Sequence, residues 1–183
     1  MPADAARKVY QKNTSAGAQD EELDHDARSK QPDDWSQDGR YIIEETLDIS
    51  KSGTDIWVLP LFGDRKSFPY LNTNFNEHHA KLSPDGKWLA YVSDETKRNE
   101  VYVQTFPNPG GKWQVSTNGG SLPVWSRNGN ELFFVGADRR MMAVEVKGGS
   151  TFAAGVPKSL FDTRLGAGSW FDVTGPMHRI LMG

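Results

Sequence analysis

The hydrophobic positions of this chain fall in short runs closed by turns. Trp88-Leu89-Ala90-Tyr91-Val92 is apolar almost throughout, the pattern of a strand buried on both faces, and Phe133-Phe134-Val135 is alike. Val101, Val103 and Thr105 alternate with Tyr102, Gln104 and Phe106, so that strand meets two different environments. The pattern predicts strands over Tyr41–Glu45, Trp88–Ser93 and Glu131–Gly136, each followed by another over Asp55–Pro60, Glu100–Phe106 and Met141–Val146. Shorter outer strands are predicted over Lys66–Tyr70, Trp113–Ser116 and Lys158–Phe161. Gly-Asp, Pro-Gly-Gly and Gly-Gly-Ser loops separate them.

The turn before each leading strand repeats. Trp35-Ser36-Gln37-Asp38-Gly39-Arg40, Leu82-Ser83-Pro84-Asp85-Gly86-Lys87 and Trp125-Ser126-Arg127-Asn128-Gly129-Asn130 align, and Val173-Thr174-Gly175-Pro176-Met177-His178 is a worn fourth copy. Their Ser/Thr positions lie 47, 43 and 48 residues apart, the spacing of four-stranded propeller blades of ~40–45 residues with variable loops. Pro84 presets the first corner of a type I turn. Asp38, Asp85 and Asn128 can cap their own turns, and Gly39, Gly86 and Gly129 supply the positive φ that leads into the next strand. The motif reads as a structural turn that needs no ligand. One four-stranded blade cannot bury both of its faces, whereas stacked blades can. A sandwich would alternate without this fixed turn.

The fold expectation is therefore an all-β propeller of four-stranded antiparallel blades, with three complete blades and two half blades. Residues 1–32 end a preceding blade, 33–76, 77–120 and 121–165 are whole, and 166–183 begin another. Arg7–Gln11 and Glu21–Leu23 read as third and fourth strands, Trp170–Val173 and Arg179–Met182 as first and second. The halves either join and close a four-bladed ring or belong to a ring of six to eight blades, the second being favoured. An open ring presents apolar edges, and self-association is then expected.

Composition agrees and excludes alternatives. Hydrophobic residues are only 37%, yet there are 6 Trp, 9 Phe and 5 Tyr, which argues against disorder; 18 Gly and 10 Pro supply turns. There is no cysteine, so disulfides, thiolate zinc sites and a cysteine nucleophile are excluded. A net charge of −3 and pI ≈ 5.8 disfavour nucleic acid. The first 34 residues hold 5 Lys/Arg and 8 Asp/Glu, and the rest hold 16 of each, so all the net charge lies at the front. Its core, Asp20, Glu21, Glu22, Asp24 and Asp26, reads as a solvated edge strand and loop rather than a cation site. No apolar run suggests a membrane span or signal peptide. The chain reads as cytoplasmic as it stands, and as periplasmic if it belongs to a longer membrane-anchored protein.

Ser83-Pro84-Asp85-Gly86-Lys87, Trp88-Leu89-Ala90-Tyr91 and Glu100-Val101-Tyr102-Val103 resemble the TolB-like, WD-like propeller repeats with a Pro-Asp core. Asp55–Lys66, Pro107–Ser116 and Met141–Val146 are more similar to the propeller that follows bacterial Ser/Thr protein kinase domains. The resemblance runs from about Val9 to the end and implies a bacterial signalling context. Gln37 and Arg127 replace the motif proline, and Pro176-Met177 replaces Asp-Gly. No kinase motif is present, and kinase activity is not carried over.

No catalytic constellation emerges, and neither a cofactor nor a metal site is expected. Gly168-Ser169 is not followed by the pattern of a nucleophile elbow. The histidines are His25, His78, His79 and His178; the adjacent His78 and His79 are expected on opposite faces of a strand. Asn76, Glu77 and His78 precede an inner strand and are the candidates for an axial binding site. Asn13-Thr14-Ser15 fits a glycosylation acceptor by pattern only. Trp35, Trp125 and Trp170 recur near inner strands, where blade packing is favoured over a sugar platform. Three functions stay open: a non-catalytic module for a protein or peptide partner, a sensor of a small molecule or glycan, and an accessory propeller of a kinase or prolyl-oligopeptidase-like hydrolase on a longer chain.

Overall fold

The computed structural model describes residues 7–15, 17–24, 28–48, 53–147, 149, 151–165, 170–174 and 179–183. β1 (Tyr10–Lys12) and β2 (Asp20–Glu22) form a two-stranded sheet. Blade I comprises β3 (Lys30–Trp35), β4 (Tyr41–Asp48), β5 (Gly53–Pro60) and β6 (Phe68–Leu71). Blade II comprises β7 (Glu77–Leu82), β8 (Trp88–Ser93), β9 (Glu100–Thr105) and β10 (Lys112–Gln114). Blade III comprises β11 (Gly120–Trp125), β12 (Glu131–Gly136) and β13 (Arg140–Lys147), with β14 (Ala153–Ala154) and β15 (Lys158–Asp162) sharing the outer edge of β13. β16 (Phe171–Thr174) and β17 (Arg179–Met182) form a second two-stranded sheet. Every pairing is antiparallel, and the strands of each whole blade are laid down from inner to outer in chain order. Among the described residues β17 does not pair with β1, so the half blades stay separate sheets and the propeller is partial. No helix of the described residues is long and apolar enough to cross a membrane.

The same turn is built three times. In blade I, Ser36 Oγ donates to Asp38 Oδ1 at 2.7 Å and accepts the Tyr41 amide at 2.8 Å, while the Gly39 amide donates to the Ser36 carbonyl at 2.8 Å. Ser83 Oγ bonds Asp85 Oδ1 and the Trp88 amide at 2.6 and 3.0 Å, and Ser126 Oγ bonds Asn128 Oδ1 and the Glu131 amide at 2.9 and 3.0 Å. Gly39, Gly86 and Gly129 have φ of 73°, 67° and 71°, the left-handed region that costs a side chain ~1–2 kcal/mol. The worn fourth turn, Gly175-Pro176-Met177, lies outside the described residues, as do Asp26, His25, His178 and Gly168-Ser169.

Stacking of blades explains the unbroken apolar run of β8. Trp88, Ala90 and Val92 turn toward blade III and pack with Trp125, Leu132 and Phe134. Leu89 and Tyr91 turn toward blade I and pack with Ile43, Ile56 and Val58. Val9 and Leu23 of the first half blade cover Ile42 and Leu59, and Phe171 and Val173 of the last cover Phe133 and Met141. Each fully buried side chain of this kind contributes about 1.5–3 kcal/mol.

Several expectations need correction. Blade I begins at Lys30, not at 33, and its β4–β5 hairpin extends to Asp48 and Gly53, beyond the predicted ends. Thr46 is buried within the extension, and the polar Glu44 and Asp55 are buried in the predicted parts of the same two strands. β9 stops at Thr105, one residue before the predicted Phe106, and the outer strands are shifted by up to two residues. The acidic stretch is not uniformly solvated. Glu21 is exposed and paired with Arg65 at 3.0 Å, but Asp24 is buried against Lys30 and accepts from Ser67 Oγ at 2.6 Å.

Candidate functional site

The inner strands β3, β7, β11 and β16 surround a cleft of about 920 Å³. Its walls carry Asp33, Asp34, Lys81, Arg127, Trp35 and Trp170, among others. These residues are brought together by a repeated irregularity. The ladder slips between Pro32 and Asp34 in β3, between His78 and Lys81 in β7, and between Ser121 and Val124 in β11. Pro32 and Pro123 lack the amide that a regular ladder needs, and His79 and Leu122 take φ of 53° and 52°. Each bulge sits three to four residues before the repeated turn.

A bulge frees backbone groups, and here the neighbouring blade uses them. The Ala80 amide donates to Asp33 Oδ2 at 2.9 Å, and the Leu82 amide to Asp34 Oδ2 at 2.7 Å. Lys81 Nζ donates to the Asp33 carbonyl. Trp125 Nε1 in turn donates to the Lys81 carbonyl at 3.0 Å. The inner strands are thus clasped pairwise, and both aspartates are occupied as acceptors. Burial pushes the Asp33 carboxyl up to about 7, against the pull of its bond from Ala80, and raises that of Asp34. Glu45, which accepts the His79 amide at 3.4 Å, is also raised by burial.

None of the sequence candidates Asn76, Glu77 and His78 lines this cleft. Asn76 bridges strands: its amide and Nδ2 donate to the Asp94 carboxylate at 2.9 and 2.6 Å, and its Oδ1 accepts from Thr54 at 3.3 Å. His78 and His79 do not point apart as expected. The bulge and the positive φ of His79 turn both rings to one side, with centroids 4.7 Å apart. Burial lowers His78 to about 4, helped by the neighbouring His79. The three tryptophans also divide. Trp125 is buried between blades, whereas Trp35 and Trp170 stand exposed in the cleft wall. Sequence reasoning missed Asp33, Asp34 and Lys81; the prolines at 32 and 123, anomalous within strands, were the available signal.

Glu77 is buried at the start of β7. Thr73 Oγ1 donates to its Oε1 at 2.5 Å, while Oε2 has no hydrogen-bond partner among the described residues. Burial, reinforced by Asp55, Asp94 and Glu95, pushes the carboxyl up to about 7 from 4.5. The folded state therefore holds this proton more tightly than the unfolded chain. Stability conferred by the neutral carboxyl is present at low pH and is lost as pH rises from about 4.5 to about 7. Glu77→Gln is expected to lessen the drop in urea midpoint between about pH 5 and about pH 8. An unchanged drop would show that Glu77 does not titrate in this window.

No family model matches the chain, and no curated protein matches it. Solved structures do. A protein assigned as TolB from Agrobacterium tumefaciens superposes with TM-score 0.61 at 15% identity, over 84% of this chain and 60% of that one. TolB from Acinetobacter baumannii gives 0.64 at 17% identity, over 96% and 45%. The periplasmic gluconolactonase of Pseudomonas aeruginosa gives 0.51 at 17%, over 94% and 56%. The chain spans about half the length of these structures. Its fold is that of a TolB-like β-propeller, represented by three whole blades and two half blades.

Proposed function

We propose that this chain is a non-catalytic propeller module that binds a protein or peptide partner in its axial cleft. The observation that carries the reading is how the cleft's polar groups are used. Asp33, Asp34 and Lys81 are bonded to neighbouring inner strands. The surface left to a ligand includes the exposed Trp35, Trp170, Arg127 and Gln37 and the half-buried Pro84. Exposed indoles, a half-buried proline and an arginine on a rigid frame suit a peptide surface better than bond-making chemistry. The TolB-like fold supports the same reading. A second reading, an accessory propeller beside a Ser/Thr kinase or hydrolase on a longer chain, is favoured by the Asp55–Lys66, Pro107–Ser116 and Met141–Val146 stretches.

Displayed peptides selected on the wild-type protein provide the test. Trp170→Ala with Arg127→Ala is expected to weaken their binding at least ~10-fold, since such residues are frequent binding hot spots. Leu160→Lys, on the outer strand β15, is expected to leave binding unchanged. Equal binding to all three proteins would reject the cleft.

A further inference from the structure

The bulge of β7 sets two imidazoles face to face. On a regular strand His78 and His79 would point to opposite faces. Here the ladder slips after His78, His79 takes φ of 53°, and the two Nδ1 atoms meet. The repeat does not ask for imidazoles at this place. Counting back from each turn serine, the same positions hold Gln31-Pro32 in β3 and Ser121-Leu122 in β11. β7 belongs to blade II, which packs against a whole blade on each side, so the pair depends on neither half blade.

The surroundings suit a bound cation. Burial pushes both imidazoles down, which keeps them neutral at neutral pH with lone pairs free for a metal. The Asp94 carboxylate lies near the His78 ring, and the Asn99 side chain bonds that ring. Glu45 of the neighbouring blade accepts the His79 amide at 3.4 Å. Lys81 is the opposing charge beside His79, and its ammonium is turned to the Asp33 carbonyl. His78 is half-buried, while His79 is exposed and lines the axial cleft, which gives an ion a way in.

The number of donors selects the ion. Among the described residues no three histidine, aspartate or glutamate side chains are placed to share a metal. Zinc, which takes three or four protein ligands, is poorly served. Cu(I) accepts imidazole donors and, as a closed-shell monovalent ion, is satisfied by two nitrogens in line. We propose that His78 and His79 bind one Cu(I) ion between their Nδ1 atoms, at the edge of the axial cleft. Before the ion enters, one Nδ1 carries a hydrogen and the other accepts it. The ion takes the place of that hydrogen, which moves to Nε2 of the same ring, so no proton is released and no electron is transferred. Rotation of the exposed His79 ring makes the room. The site does not rest on the peptide reading of the cleft.

The test titrates Cu(I), kept reduced with ascorbate in the absence of oxygen, into the protein against the coloured Cu(I) chelator bicinchoninate. The wild-type chain is expected to withhold one ion from the chelator. His78→Ala and His79→Asn, the second keeping a residue that tolerates positive φ, are each expected to lower the affinity at least ~100-fold, since losing a residue that merely bonds to a ligand already costs ~10–100-fold. His178→Ala is expected to change nothing. No withheld ion, or equal affinity in all four proteins, overturns the proposal. X-ray absorption on the copper-loaded wild-type chain requires no variant to fold. Two nitrogen neighbours in line support the pair, and sulfur neighbours or three or more donors overturn it. Zn2+ is expected to bind more weakly than Cu(I), and equal retention overturns the choice of a two-donor ion.

Discussion

Replacing Lys30 with methionine is expected to destabilise the protein by about 3–5 kcal/mol at neutral pH, a large share of the ~5–15 kcal/mol typical of a whole domain. Lys30 Nζ contacts the Asp24 carboxylate, lies 3.2 Å from Glu44 Oε2 and donates to Ser67 Oγ at 2.6 Å. All three charged side chains are buried, and the group joins the start of blade I to the chain leaving the first half blade. Methionine replaces the volume but leaves two carboxylates in a low dielectric without their cation. Urea titrations of both proteins at neutral pH measure this. A loss of less than about 1 kcal/mol, as for an ordinary surface substitution, would show that the electrostatic account of the group is wrong.

Phe134→Ala is expected to cost about 3–5 kcal/mol by cavity formation. Phe134 is buried in the core between blades II and III, with Trp88, Val103 and Trp125. Because each blade is covered only by its neighbours, this loss falls on the coupling between blades rather than within one sheet. Trp88, Trp113 and Trp125 belong to or pack against the same core, so their fluorescence reports on it during unfolding. Phe161→Ala, on the exposed outer strand β15, is the comparison and is expected to cost less than about 1 kcal/mol. Similar losses for both would contradict packing between blades as the main source of stability.

The blades were legible because their turns make strict chemical demands. A serine, an acid or amide and a glycine recur in order, and each residue type has a bond or a backbone angle to satisfy. The apolar run of β8 likewise announces burial on both faces. Polar burial carries no such mark. Thr46 falls outside the predicted strands until the β4–β5 ladder places it inside, nothing in the sequence marks Glu44 and Asp55 as buried, and Asp24 looks solvated until Lys30 is found beside it. The cleft was the least legible feature. It gathers positions from Gln31 to Asp172, and bulges shape it by shifting side chains from their regular alternation. For that reason His78 and His79 face each other, and the axial candidates chosen by simple strand position fell outside the wall.

The claim that the module binds through its axis is tested most directly by amide exchange on the wild-type protein with and without a selected peptide. Bound peptide is predicted to slow exchange in β3, β7 and β11 around the cleft and to leave the outer strands β6, β10 and β15 unchanged. Protection confined to those outer strands, with the inner strands unaffected, would contradict the account.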